Sequence, residues 1–247
     1  MRIAVVSITK HGIALAGKVV AALPGAQLFT PEKFRREAEI SAPGAANCYE
    51  GKVGDQVPAL FSAFDGIVAI VSLGAVVRLI APHLKNKETD PAVVVIDEAG
   101  KFVIPMLSGH LGGANALAGH LATALDAIPV LTTASDARQT LAVDLLGREL
   151  GWTFEATHDE IVRCSAAMVN DEAVALVQET GSTDWWAGHA NGRSGPLPGN
   201  VTLFKRLEEI DPSHFAAVLW ISDREMPNAL AARLAGKRVV YRPAQAV

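Results

Sequence analysis

Residue types and spacing that bear on chemistry concentrate in one run, Ser108-Gly109-His110-Leu111-Gly112-Gly113-Ala114-Asn115, set between a strand-like segment and a long helix-like pattern. Glycines let backbone N–H groups approach a ligand, and a helix start adds partial positive charge. The run therefore suits a carboxylate, a phosphate or a developing oxyanion. Its alternative is a tight turn with Ser108 as helix cap. The spacing is neither that of a P-loop nor G-x-G-x-x-G. Histidine's unperturbed pKa lies near neutrality, which gives His110 the chemistry of a general base or proton shuttle, or of a hydrogen-bonded loop residue.

Four further groups qualify. Arg78, Lys85 and Lys87 form a short basic series, either a clamp for a polyanionic ligand or a solvated loop. Asp97 and Glu98 are paired carboxylates able to move protons, within a D-E-A-G sequence that also makes a good turn. Thr132-Thr133-Ala134-Ser135-Asp136 follows a strand-like run, where open α/β sheets place ligand groups, or serves as a helix cap. Trp185-Trp186 has the faces to stack on a flat ring or to anchor a loop. No C-x-x-C, H-E-x-x-H or EF-hand spacing occurs, so no protein-bound metal is expected.

The elements that must position these groups alternate between strand and helix. Ile3–Ser7 reads as a first strand, and Ile13, Ala16, Val20 and Leu23 follow helical spacing until Pro24-Gly25. Residues 30–50 read as an irregular connection with a short helix over Pro31–Ala38. IVAIVS after Asp65-Gly66 is a strand buried on both faces, and Gly74 opens a helix that stops near Pro82. AVVVIDEAG and KFVIPML flank a turn as a hairpin does, with Asp97 and Glu98 at its tip. Ala114, Leu117, Ala118, Leu121 and Leu125 mark a helix face, and a strand follows at Pro129–Thr132. Beyond a helical pattern over Arg138–Gly151, strand-like runs recur at Ala173–Val177, Phe215–Ile221 and Arg238–Tyr241, and Gly181–Gly199 reads as a surface loop. This is an α/β protein: an open, mostly parallel sheet with flanking helices over 1–136, then a smaller α/β domain over 137–247.

Composition sets the bounds. The 247 residues are 50% hydrophobic and 19% charged, a balance that favours a packed core over disorder. Lys and Arg number 22 against 26 acids, for a net charge of −4, which lacks the basic field of a nucleic-acid binder. Cys48 and Cys164 stand far apart outside any disulfide or zinc pattern, which fits a reducing, cytoplasmic setting. The longest uncharged stretch, Phe102–Leu125, is interrupted by Ser108, His110, Asn115, His120 and four glycines, so no membrane span is expected.

The string GAVVRLIAPHLKNKETDPAVVVIDEAGKFVIPMLSGHLGGANALAGHLA, followed by PVLTTASD, closely resembles the CbiG family of cobalamin biosynthesis proteins, the cobalt-precorrin 5A hydrolases. The resemblance is dense from Gly74 to Asp136 and weakens after Asp144. It implies opening of a δ-lactone on a cobalt-bearing, ring-contracted tetrapyrrole and release of a two-carbon fragment as acetaldehyde, giving cobalt-precorrin 5B. Cobalt then arrives inside the substrate, and no separate cofactor is implied. A ring bearing acetate and propionate arms calls for cations and N–H donors. Gly74, Arg78, Lys85, Lys87, Ser108, Gly109, Gly112, Gly113, Asn115, Thr132 and Thr133 are the expected binding set. His110 is the expected base or shuttle, with Asp97, Glu98 or Asp136 carrying further protons. Many family members carry a third, C-terminal domain without counterpart in these 247 residues. The alternative function is therefore a non-catalytic tetrapyrrole-binding or channelling subunit that works with a separately encoded partner or with neighbouring corrin-pathway enzymes.

Overall fold

The computed structural model describes residues 1–86, 89–138, 140–186 and 196–244. Packing divides the chain into two compact units, Met1–Leu131 and Thr132–Val247.

The first unit is built on seven strands: β1 (Ile3–Ser7), β2 (Gln27–Pro31), β3 (Ala46–Tyr49), β4 (Gly66–Ile70), β5 (Ala92–Ile96), β6 (Phe102–Leu107) and β7 (Ile128–Pro129). They lie in the order β3-β2-β1-β4-β5-β6-β7. The pairs from β3 across to β5 are parallel, whereas β6 runs antiparallel to β5 as the second arm of the expected hairpin. Strands β1, β4 and β5 are buried at every position, which explains their unbroken apolar sequences. Helices α1 (Lys10–Ala22), α2 (Arg35–Ser41) and α5 (Ala114–Leu125) cover one face, the side of Val5, Ile70 and Ile96. Helices α3 (Val57–Ala63) and α4 (Leu73–Ile80) cover the other, the side of Val6, Ala69 and Val95. The period of two along each strand thus feeds two separate cores.

The second unit has a five-stranded sheet in the order β10-β9-β11-β12-β8, formed by β8 (Thr153–Glu155), β9 (Val174–Gln178), β10 (Val201–Phe204), β11 (Ala217–Ile221) and β12 (Arg238–Arg242). All pairs are parallel except β12 with β8. Its helices are α6 (Ala134–Ala137), α7 (His158–Val169) and α8 (Asn228–Arg233). A capping box starts α7, in which Thr157 and Glu160 bond each other's backbone.

Three expectations need correction. Residues 30–50 are regular: β2 ends at Pro31, the expected short helix is present as a 3₁₀ turn at Glu32–Phe34 that runs into α2, three residues past Ala38, and β3 follows. These edge elements are short and half exposed, so their apolar pattern is faint. The described residues of Arg138–Gly151 form turns and one 3₁₀ turn at Arg148–Leu150 instead of a helix. Gly147 and Gly151 both sit at positive φ, and Leu141, Val143 and Leu146 pack into the second unit's core from an irregular chain. The strand expected at Pro129–Thr132 is only Ile128–Pro129. The Gly181–Gly199 loop lies partly outside the described residues, at 187–195.

Candidate functional site

The reversal of β6 decides which candidate residues share an edge of the sheet. Asp97 and Glu98 follow β5 at the edge where β1 and β4 also end, whereas the Ser108–Asn115 run follows β6 at the opposite edge. Five residues of β5 separate the two edges. At about 3.3 Å per residue that is roughly 16 Å, too far for His110 and the Asp97-Glu98 pair to serve one reacting atom.

At the edge of β6, the glycine run folds on itself. Gly113 adopts φ +86° and its amide donates to the His110 carbonyl at 2.9 Å. The amides of Ala114 and Asn115, the first two residues of α5, donate to the carbonyls of Ser108 (3.2 Å) and Gly109 (2.9 Å). The helix-start amides expected to hold an anion are thus engaged by the loop's own carbonyls. Ser108 sits at φ +55° and its hydroxyl donates to the Asp90 carbonyl at 2.9 Å. Gly109 and Gly112 serve close packing: a Cβ on Gly109 would lie 2.7 Å from Asn115 Oδ1, and one on Gly112 would lie 2.4 Å from Ser108 Cβ. Asp90 is buried and both its oxygens accept the Lys85 amide, at 3.1 and 3.0 Å, while the Lys85 side chain is exposed. Lys87 lies outside the described residues.

The other edge gathers Gly74, Arg78, Asp97 and Glu98 with residues the sequence reading passed over: Ser7, Thr9, Gly12 and Ser72. Thr9 caps α1 by accepting the Gly12 amide at 3.1 Å, and its hydroxyl donates to the Glu98 carboxylate. Asp97 holds the hairpin turn, accepting the Phe102 amide at 2.6 Å through its carboxylate and the Gly100 amide at 2.8 Å through its carbonyl. Arg78 folds back along α4, its guanidinium donating to the Gly74 carbonyl at 3.0 Å. Gly74 and Arg78 are exposed, as are Ser72 and Glu98. A polar residue just past an apolar strand and three residues before a helical glycine, as Thr9 is, was the available signal for this edge.

Thr132, Thr133 and Asp136 belong to the second unit, where the Thr133 hydroxyl donates to the Asp136 carboxylate at the start of α6. Trp185 anchors its loop, its indole N–H donating to Gln178 at 2.9 Å, and packs with Trp186 against the second unit's core. That unit's sheet also carries a polar cluster at the ends of β9 and β11. Glu179 accepts from Ser222 (2.7 Å), Arg224 (3.1 Å) and the Leu207 amide (3.0 Å), which makes it an internally satisfied brace. Among the described residues, no three His, Cys, Asp or Glu side chains gather in metal-binding geometry, and no helix is long and apolar enough to cross a membrane.

Residues 55–136 match the family described as Cobalamin synthesis G N-terminal, and residues 141–243 match Cobalamin biosynthesis central region. A cobalt-precorrin-5A hydrolase of Priestia megaterium is 40% identical over 240 residues, covering 97% of this chain and 62% of that protein. The cobalt-precorrin-5A hydrolase of Salmonella typhimurium is 36% identical over 213 residues, covering 85% of this chain and 56% of that protein. The chain thus spans less than two thirds of the length of these relatives. With both regions matched in chain order across two α/β units, this chain belongs to the CbiG family of cobalamin biosynthesis proteins.

Proposed function

We propose that this chain acts as a cobalt-precorrin-5A hydrolase, opening the substrate's δ-lactone and releasing acetaldehyde to give cobalt-precorrin 5B. The observation that carries the reading is the 40% identity, over 97% of the chain, to a relative of that name. Cobalt enters as part of the substrate. Water adds to the lactone carbonyl and the ring C–O bond breaks, leaving a carboxylate and an alcohol. The alcohol then loses its proton as its carbon–carbon bond to the macrocycle breaks. Acetaldehyde departs, and the macrocycle carbon keeps the electron pair and takes up a proton.

Both steps need a group that accepts and returns protons. Glu98 suits this role: it is exposed on the hairpin tip, hydrogen-bonded by Thr9, and sits at the edge where β1 and β4 end. His110 lies across the sheet in the self-capped loop. Glu98→Gln is therefore expected to lower acetaldehyde release by roughly 100-fold while substrate still binds, and His110→Asn to change loop stability more than turnover. A large turnover loss in His110→Asn with none in Glu98→Gln would move the chemistry to the other edge. The relatives' greater length favours one competing reading, a binding subunit whose partner supplies the chemistry. It predicts tight binding of the substrate without acetaldehyde.

A further inference from the structure

Strands β1 and β4 are neighbours, yet the chain leaves them in opposite directions. β1 leads through α1 to β2 on one side, and β4 leads through α4 to β5 on the other. In open α/β sheets the crevice beyond the carboxyl ends of two such strands is where ligands lodge. Helices α1 and α4 begin there, on opposite faces of the sheet. Thr9 takes up the amides of Gly12 and Ile13, and the Ser72 carbonyl takes up those of Ala75 and Val76. Among the described residues, the amides of Lys10, His11, Leu73 and Gly74 make no hydrogen bond, and all four residues are exposed. The start of α5 differs, because the amides of Gly113, Ala114 and Asn115 are engaged by its own loop.

A second observation comes from beneath this edge. Ser7 ends β1 fully buried, and its hydroxyl has no hydrogen-bond partner among the described residues. It is aimed at the first turn of α1: a Cβ on Gly12 would lie 2.6 Å from Ser7 Oγ and 2.9 Å from Thr9 Oγ1. Thr30 on the adjacent β2, one residue beyond the Val6–Phe29 pair, is likewise buried with an unpartnered hydroxyl. Buried polar groups are normally satisfied, so the Ser7 orphan set against the first turn of α1, whose leading amides are free, marks a place that a ligand group completes. The guanidinium of Arg78 beside Gly74 and the ammonium of Lys10, 3.9 Å from Glu37, add positive charge, with Glu98 the carboxylate beside Thr9.

We propose that this crevice binds carboxylate arms of the substrate. One arm sits on the Lys10 and His11 amides with the Ser7 hydroxyl behind them, and another sits on the Leu73 and Gly74 amides beside Arg78. The proposal rests on the tetrapyrrole reading above and places its polyanionic substrate at the switch point instead of the glycine run.

Proline tests it without deleting the helices. Lys10 and Leu73 are the first residues of α1 and α4, where proline costs no helix bond. The preceding residues, Thr9 (φ −128°, ψ 153°) and Ser72 (φ −57°, ψ 137°), already have the extended backbone a following proline needs. Metal-free uroporphyrin III, a tetrapyrrole whose arms end in carboxylates, is the probe, and its fluorescence reports binding. Leu73→Pro is expected to weaken binding by roughly 10-fold or more, the loss of one charge-assisted donor, while Leu73→Ala, which keeps the amide, binds as the parent does. Equal affinity of folded Leu73→Pro and Leu73→Ala, or no binding by the parent chain, would overturn the proposal. Should the proline variant fail to fold, amide NMR of the parent chain gives the same decision. Shifts at Lys10, His11, Leu73 and Gly74 on titration support the crevice, and shifts confined to Gly113–Asn115 refute it. Acetaldehyde release separates this proposal from the activity. Proline-sensitive binding without turnover sinks the hydrolase alone, and turnover with proline-insensitive binding sinks the crevice alone.

Discussion

Replacing Gly112 with alanine tests the claim that the glycine run is a self-capped turn. The added Cβ would lie 2.4 Å from Ser108 Cβ and 2.7 Å from the Ser108 carbonyl oxygen. Carbon atoms in contact prefer about 3.5–4.0 Å, so the two limbs of the loop must part by about 1 Å. Ser108 makes two bonds that this movement breaks, its carbonyl to the Ala114 amide at 3.2 Å and its hydroxyl to the Asp90 carbonyl at 2.9 Å. At about 1 kcal/mol each, with some further cost for the exposed helix start, the loss comes to ~2–3 kcal/mol. Gly113→Ala meets only Met1 Sδ at 3.7 Å and carries the strain of φ +86°, about 1–2 kcal/mol. Gly119→Ala, in open space within α5, is expected to stabilise by roughly 0.5–1 kcal/mol. All four tryptophans lie in the second unit, so hydrogen exchange of the Ala118 and Leu121 amides reports the first. Protection should fall most in Gly112→Ala, less in Gly113→Ala, and rise in Gly119→Ala. A Gly112→Ala protein as protected as its parent would refute the self-capped loop.

Tyr241→Phe removes the buried hydroxyl that donates to the Val143 carbonyl at 2.7 Å and leaves that carbonyl unpaired, so tryptophan fluorescence in urea should show a loss of about 1–3 kcal/mol in the second unit. Burial pushes the Cys164 thiol up to about 12, so a thiol reagent at pH 8 should modify Cys48 in the native protein and reach Cys164 only in denaturant; rapid native reaction of both would contradict the buried placement. The Arg2 amide, donating at 2.7 Å, holds the Asp65 carboxyl below its usual range. A depressed folded-state value contributes stability that is present above the unfolded value, about 3.9, and lost as pH falls through the folded one. The stability gap between parent and Asp65→Asn should therefore close on acidification below about pH 4, and a gap that is constant with pH would exclude the linkage.

Legibility in the sequence followed burial. IAVVS, GIVAI and AVVVI read plainly as strands because both faces of the sheet are covered, and AVLWI in the second unit does so for the same reason. QLFTP and ANCY did not, because edge strands need only a few buried positions and their exposed residues break the alternation. The second unit's Thr153–Glu155 strand is exposed throughout and gave no apolar signal at all. The site was half legible. The D-E-A-G turn and the S-G-H-L-G-G run stood out by composition, and the hairpin between them was visible. Its consequence, that the two ends of β6 lie at opposite edges, requires the pairing direction that only the assembled sheet supplies. Ser7, Thr9 and Ser72 escaped notice because isolated hydroxyl residues gain meaning from the helix starts beside them.

The proposed function has these 247 residues act by themselves as a cobalt-precorrin-5A hydrolase, the name that their longer relatives carry. The direct measurement is acetaldehyde released from cobalt-precorrin-5A by the purified 247-residue chain under anaerobic conditions, with no second protein added. Catalytic turnover is expected, with one acetaldehyde formed for each substrate converted to the lactone-opened product. Stoichiometric binding of the substrate with no acetaldehyde above the protein-free control would contradict it.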